Sequence, residues 1–239
     1  MLGMKAKQVV VLEGEIWLPG GKKILDGRLV IVEGIIKEVG SKENISLEKY
    51  FKEDFNLFIR EYMKGEKILP GFIEPHCHLG AYEEITGEDR LNEEDSLIAL
   101  DYKIIKQINF EDIGFKEALF SGGVTTAAIF PGSGSLIGGI GAIVKTGGRQ
   151  RVLKEEYGLK LSLGENVEKP FKLNREELKD ILFKEFLNGD NIYIKKALKK
   201  EIPLRCHSHL KEDIEVFLDL KSKYDLEMVI EHGTEAFKL

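Results

Sequence analysis

The chain has 239 residues, of which 43% are hydrophobic and 32% charged, an ordinary globular mix rather than a disordered or fibrous one. Its 35 Lys and Arg against 41 Asp and Glu give a net charge of −6, which argues against nucleic acid as the main partner, because phosphate binding needs clustered positive charge. Two cysteines, Cys77 and Cys206, are too few for a disulfide framework or a four-cysteine zinc site. No apolar stretch reaches the ~18 residues of a membrane span, and the first residues lack the apolar core of a signal peptide. A cytoplasmic protein with no nucleic-acid or membrane partner is the expectation.

In chain order, residues 8–39 read as short strands broken by glycine, with turn chemistry at Pro19-Gly20-Gly21 and Asp26-Gly27. They predict a small β-rich module over residues 1–66. Within 46–64, Leu47, Phe51, Phe55, Phe58 and Tyr62 recur at spacings of three and four, which fits an amphipathic helix; a buried strand through 55–59 is the alternative. From Lys67 the pattern becomes strand, loop and helix, repeated. Strands are expected at 68–74, 125–130, 142–145, 159–163, 203–206 and 226–231, and helices near 91–107, 111–120, 174–199 and 211–223. Alternating strands and helices imply a parallel sheet, open or closed into a barrel, over 67–239.

All five histidines sit just past apolar, strand-like runs. His76 and His78 lie in PGFIEPHCHL, His207 and His209 in IPLRCHSHL, and His232 in MVIEHGTEA. Alternate residues of a strand point the same way, so His76 and His78 can converge on one ion. Imidazole is the commonest neutral nitrogen ligand for zinc and similar divalent metals. A single histidine at a strand end is ordinary; five so placed point to a metal site. By the same alternation Cys77 and Cys206 point away from it and read as core thiols. The run GSGSLIGGIG lacks the spacing of a nucleotide-binding loop. Its glycines instead permit close backbone approach.

The run LPGFIEPHCHLG resembles the Pro-Gly-Phe-Ile-Asp-x-His-x-His signature of the amidohydrolase superfamily, with Glu74 where the signature usually has Asp. GVTTAAIFPGSGSLIGGIGAIVKTGG, GLKLSLGEN, IPLRCHSHLKEDI and MVIEHGTEA resemble an imidazolonepropionase-like branch, in the same order. The resemblance implies an α/β fold: a partial (β/α)8 TIM-type barrel of about six units beside a small N-terminal β-sandwich-like module. It implies one or two divalent ions, zinc foremost. His76 and His78 become first-strand ligands, His207 the fifth-strand ligand and His232 the sixth-strand ligand. His209, of the same parity as His207, becomes a substrate-side group able to act as a base. The fourth-strand ligand is either Lys160, carboxylated, or Glu165.

Against the family pattern the chain stops seven residues past His232. The seventh and eighth barrel strands, the strand-end aspartate that serves as general base, and the closing strands of the small module have no counterpart. The chain is therefore expected to be either a truncated product or a complete, degenerate protein that a homo-oligomeric or other partner completes. The resulting reading is a hydrolase of amide-like, in some cases cyclic, C–N bonds, acting on a small-molecule substrate through metal-activated water, with doubtful activity for this chain alone. The rival is a non-catalytic metal-binding or assembly protein derived from such an enzyme.

Overall fold

The computed structural model of the chain describes residues 6–52, 55–62, 66–83, 85–92 and 96–239. The chain divides into two compact units, Met1–Pro70 and Gly71–Leu239.

The first unit is one mixed sheet of β1 (Lys7–Trp17), β2 (Lys23–Val32), β3 (Ile35–Ser41), β4 (Phe55–Glu61) and β5 (Lys67–Ile68). Strands run in the order β3-β2-β1-β4, with β5 paired to the far end of β1; β1 is antiparallel to β2 and parallel to β4 and β5. Val9, Val11 and Val30 alternate into a small core with Ile45 and Tyr50. The helix expected over 46–64 does not form among the described residues. A 3-10 turn at Glu48–Tyr50 leads into β4, and Phe55 and Leu57 pack on the Val9–Val11 core with a period of two. Spacings of three and four among five large residues had masked that strand period.

The second unit contains β6 (Phe72–Cys77), β7 (Tyr82–Glu83), β8 (Glu88–Asp89), α1 (Ile113–Phe120), β9 (Val124–Ile129), β10 (Ile137–Ile140), β11 (Ala142–Lys145), β12 (Val152–Lys154) and β13 (Leu159–Ser162). These are followed by α2 (Glu165–Phe171), α3 (Arg175–Asn188), α4 (Ile192–Leu198), β14 (Leu204–Ser208), α5 (Lys211–Tyr224) and β15 (Met228–His232). They build two four-stranded sheets, β12-β11-β9-β6 and β10-β13-β14-β15, and the β7-β8 hairpin.

This corrects the expected partial (β/α)8 TIM-type barrel with a β-sandwich-like module. The described residues form a mixed α/β, strand-rich fold of 15 strands in four sheets with only five α-helices, and no sheet closes. The physical reason lies between β9 and β13. A barrel needs a helix after each strand to carry the chain back for parallel pairing. Here the glycine-rich stretch returns at once: β11 runs antiparallel to both β9 and β12, and β10 antiparallel to β13. The helix expected near 91–107 is also absent among the described residues. Leu97, Ile98 and Leu100 pack against the core from a loop, and only Ile104–Lys106 makes a 3-10 turn; residues 93–95 lie outside the described residues.

The β13-β14-β15 strands are parallel, joined through α2–α4 and through α5. Their register sets Ser162 beside His207, His207 beside Glu231, and Ser208 beside His232. Leu159, Leu161, Leu204 and Cys206 form one face and bury themselves against Val167, Leu178, Leu182, Phe186, Phe217 and Leu220 of the helices. The helix α3 starts on a capping box, Asn174 with Glu177, and stops at Gly189 in the left-handed region, so its apolar stripe docks with both ends satisfied.

Candidate functional site

Alternation along β13, β14 and β15 puts Lys160, Ser162, Arg205, His207 and Glu231 together on the face opposite the aliphatic one. All five are buried. Burying polar groups is costly unless they are partnered, so a whole polar face of a central sheet calls for an explanation.

Three histidines converge at the ends of these strands. One ring nitrogen from each of His207, His209 and His232 lies within 4.8 Å of the others, a group able to hold a metal ion. Ring centroids are 4.6 Å apart for His207 and His232, 4.9 Å for His207 and His209, and 5.0 Å for the stacked His209 and His232. His232 reaches this group by an irregularity. Alternation would place it with Met228 and Ile230 on the aliphatic face, but its φ of 68° ends the strand in the left-handed region. Histidine is among the few non-glycine residues enriched there, and such outliers cluster at functional sites.

His76, at the end of β6, adjoins the group from the neighbouring sheet, its ring 6.1 Å from His232 and 5.4 Å from His78. It stacks on Phe130 at 5.4 Å, and its Nδ1 lies 3.2 Å from Glu231 Oε2, yet neither of its buried ring nitrogens makes a hydrogen bond. His78 Nδ1 donates to the Phe130 carbonyl at 2.9 Å. A carbonyl can only accept, so Nε2 of His78 keeps its lone pair, the arrangement usual for a metal-binding imidazole. His209 Nδ1 is 2.8 Å from Thr234 Oγ1.

The protonation states suit metal binding. Burial, reinforced by the charge of Lys160 and the neighbouring imidazoles, depresses His207 to about 3, so its imidazole is neutral at pH 7. Burial also lowers His78 and His232. Lys160, 1% exposed, is pushed down by burial to about 8, against an opposing pull from Glu231. Its stem fits because β10 carries Gly138, where a Cβ would lie 3.3 Å from Lys160 Cγ. Glu231 is driven up by burial, yet the close approach of His76 and the hydrogen bond and charge of Arg205 outweigh that and hold it at about 2.

Glu165 sits elsewhere. It opens α2 on the surface and pairs with Lys169, its side chain 74% exposed, although the same residue borders a cavity of about 250 Å³ with His207, His209 and Asp213. Cys206 is buried in the aliphatic core, and burial raises its thiol pKa; Cys77 is raised to about 11 for the same reason. The histidine spacing did not point to Arg205, Glu231, Phe130 or Thr234. Their signal was available as charges inside apolar strand runs: Arg205 in IPLRC and Glu231 in MVIEH.

No family model matches the chain, and no curated protein matches it. Among solved structures it is similar to an amidohydrolase from Thermotoga maritima MSB8, with a TM-score of 0.82 and 25% identity over 96% of this chain. The chain spans 66% of that protein's length. The amidohydrolase resemblance of the sequence is thus supported at the level of the fold.

Proposed function

We propose that this chain belongs to a metal-dependent hydrolase of amide-like C–N bonds, cyclic ones among them, acting on a small molecule. The observation that carries the reading is the convergence of His207, His209 and His232 within ligand distance of one another, on a fold similar to that of an amidohydrolase. The donor set fits a borderline divalent ion such as zinc: three imidazoles, with His207 unprotonated at any physiological pH. His76 and His78 lie beside the three, and His78 keeps its Nε2 lone pair free. Lys160 is the better fourth-strand candidate, since its buried amine shares the polar face, whereas Glu165 is neutralised by Lys169.

A divalent ion held there by these imidazoles would activate water as a nucleophile and polarise a carbonyl. The protein's share is to orient the imidazoles and to move protons. Glu231 is paired with Arg205, so in the arrangement where His76, His78, His207 and His232 hold the ion, the exposed His209, beside Thr234, is the group we assign as proton acceptor. The test is a panel of cyclic amides and dipeptides with added zinc, manganese or cobalt. Turnover that vanishes in His207→Ala supports the reading; stoichiometric metal without turnover favours a non-catalytic metal-binding protein.

A further inference from the structure

At the C-terminal ends of β13 and β14 lies the cavity of about 250 Å³ that Gly164, Asn166, His207, His209 and Asp213 border. Asp213 stands in the first turn of α5 and is 1% exposed. Its Oδ1 accepts from Arg175 Nε, whereas its buried Oδ2 has no hydrogen-bond partner. The cavity wall beside that oxygen is bare backbone: a Cβ added to Gly164 would lie 3.4 Å from Oδ2, and the φ of 101° there is one that side chains rarely adopt. A buried acceptor left without a donor is costly, more so when it is charged, and such orphans are rare in folded proteins. The charge itself is already balanced. Asp213 pairs with Arg175, and Glu165, the other carboxylate that lines the cavity, pairs with Lys169. What Oδ2 lacks is a donor rather than a counter-charge.

We propose that Asp213 is a substrate-binding residue: its Oδ2 accepts a hydrogen bond from the N–H of a small, neutral amide, cyclic or secondary, seated in this cavity against His207 and His209. This deepens the proposed function and rests on it for the amide class, while the binding can be read without metal or turnover. A neutral N–H serves better than an ammonium, because a cation would add charge to a pair already balanced. A site built around a buried acceptor also discriminates. An analogue with a ring oxygen in place of the N–H turns a lone pair toward the carboxylate and leaves it unpaired.

The probes are pyrrolidinone and γ-butyrolactone, rings of one shape that differ in carrying N–H or O. Each is titrated into the metal-free chain while ¹⁵N–¹H NMR follows the backbone amides of Gly164 and Asn166. The expected result is saturable shifts at these two residues with the lactam, and binding of the lactone weaker by about tenfold or more. Asp213→Asn keeps the shape, but its one oxygen goes to Arg175 and its NH2 then faces the cavity, so the lactam should weaken by a similar factor. No saturable shift with the lactam, or equal binding of the two rings, overturns the proposal, and this comparison does not depend on the variant folding. An unchanged preference for the lactam in a folded Asp213→Asn overturns it too. Turnover is read separately in the zinc-loaded chain. The expected lactam preference without turnover of any cyclic amide supports the subsite and counts against the hydrolase reading. Turnover of a cyclic amide that Asp213→Asn leaves unchanged overturns the subsite and leaves that reading standing.

Discussion

The two faces of the β13-β14-β15 sheet are made by the same strands with opposite logic. Leu159, Leu161, Leu204 and Cys206 point one way and disappear into a helix-covered core. Lys160, Ser162, Arg205, His207 and Glu231 point the other way and are as buried as their neighbours. The first face is stabilising at every position. The second holds a lysine whose amine is destabilised by burial, a histidine held neutral, and a serine hydroxyl at Ser162 with no hydrogen-bond partner. The difference between the two marks the second face as the candidate site.

The comparison predicts opposite mutational signs. The largest effect is expected on the aliphatic face: Leu161→Ala should destabilise by about 3–4 kcal/mol, the cost of lost burial plus a cavity in close-packed surroundings. Chemical denaturation measures it, with zinc content per folded molecule unchanged. A loss below about 1 kcal/mol would mean that the core is not packed as described.

Next in size is an acid response carried by the polar face. The unfolded His207 takes a proton below pH ~6.5, whereas folded His207 resists until about 3. Between those limits the unfolded state binds more protons, so stability falls as the pH drops. The metal-free chain should lose on the order of 3 kcal/mol between pH 7 and 4 through this residue, at about 1.4 kcal/mol per pH unit. Denaturation at several pH values checks it: His207→Asn should flatten that limb. Parallel curves for the two proteins would assign the acid sensitivity to other groups.

The strand alternation that separates these faces was legible in the sequence wherever an apolar run was unbroken. Expected strands at 125–130, 142–145, 159–163 and 203–206 fall on β9, β11, β13 and β14 within a few residues. The element β10 escaped because IGGI offers two glycines and only two side chains. The stretch 91–107 misled in the other direction, its leucines and isoleucines serving the core from a loop. Barrel closure is a property of the connections, which side-chain patterns report poorly: the turn from β9 into β10, β11 and β12 replaces the helix that a parallel return would need. At the site, histidines at strand ends announced themselves. The reach of His232 did not, because it depends on a left-handed backbone that alternation cannot foresee, nor did the approach of His209 to His207 and His232.

Reversing the sign of a mutation sharpens the comparison further. Lys160 pays for its position, with an amine lowered by burial from 10.5 to about 8. Between those values the unfolded chain binds the extra proton, so the penalty is fully present at neutral pH and is relieved as the pH rises from 8 toward 10.5. Lys160→Met keeps the length and removes the charge. It should stabilise the metal-free protein by on the order of 2 kcal/mol at pH 7, since well-packed apolar replacements of buried charges are commonly neutral or stabilising. Denaturation curves at pH 7 and 10 decide it. A destabilised variant would show that the lysine is held for the fold.

The smallest expected effect concerns the strand next to the polar face and turns on a single hydrogen atom. Gly138 lies opposite Lys160, and its φ is outside the left-handed region, so only space can matter there. A methyl group added at Gly138 would sit 3.3 Å from Lys160 Cγ and 3.3 Å from the Gly132 carbonyl oxygen, tighter than ordinary contact on both sides. The lysine stem can shift by a few tenths of an ångström; the carbonyl is backbone and yields less. Overpacking of this kind costs typically 1–3 kcal/mol, and one methyl belongs at the lower end. Gly138→Ala should therefore lose about 1 kcal/mol by denaturation. Most of that loss should persist in the Lys160→Ala background, where the stem is gone and the carbonyl clash remains. If instead the double variant recovers it all, the glycine is there to seat the lysine alone, and the polar face has shaped its neighbouring strand as well as its own.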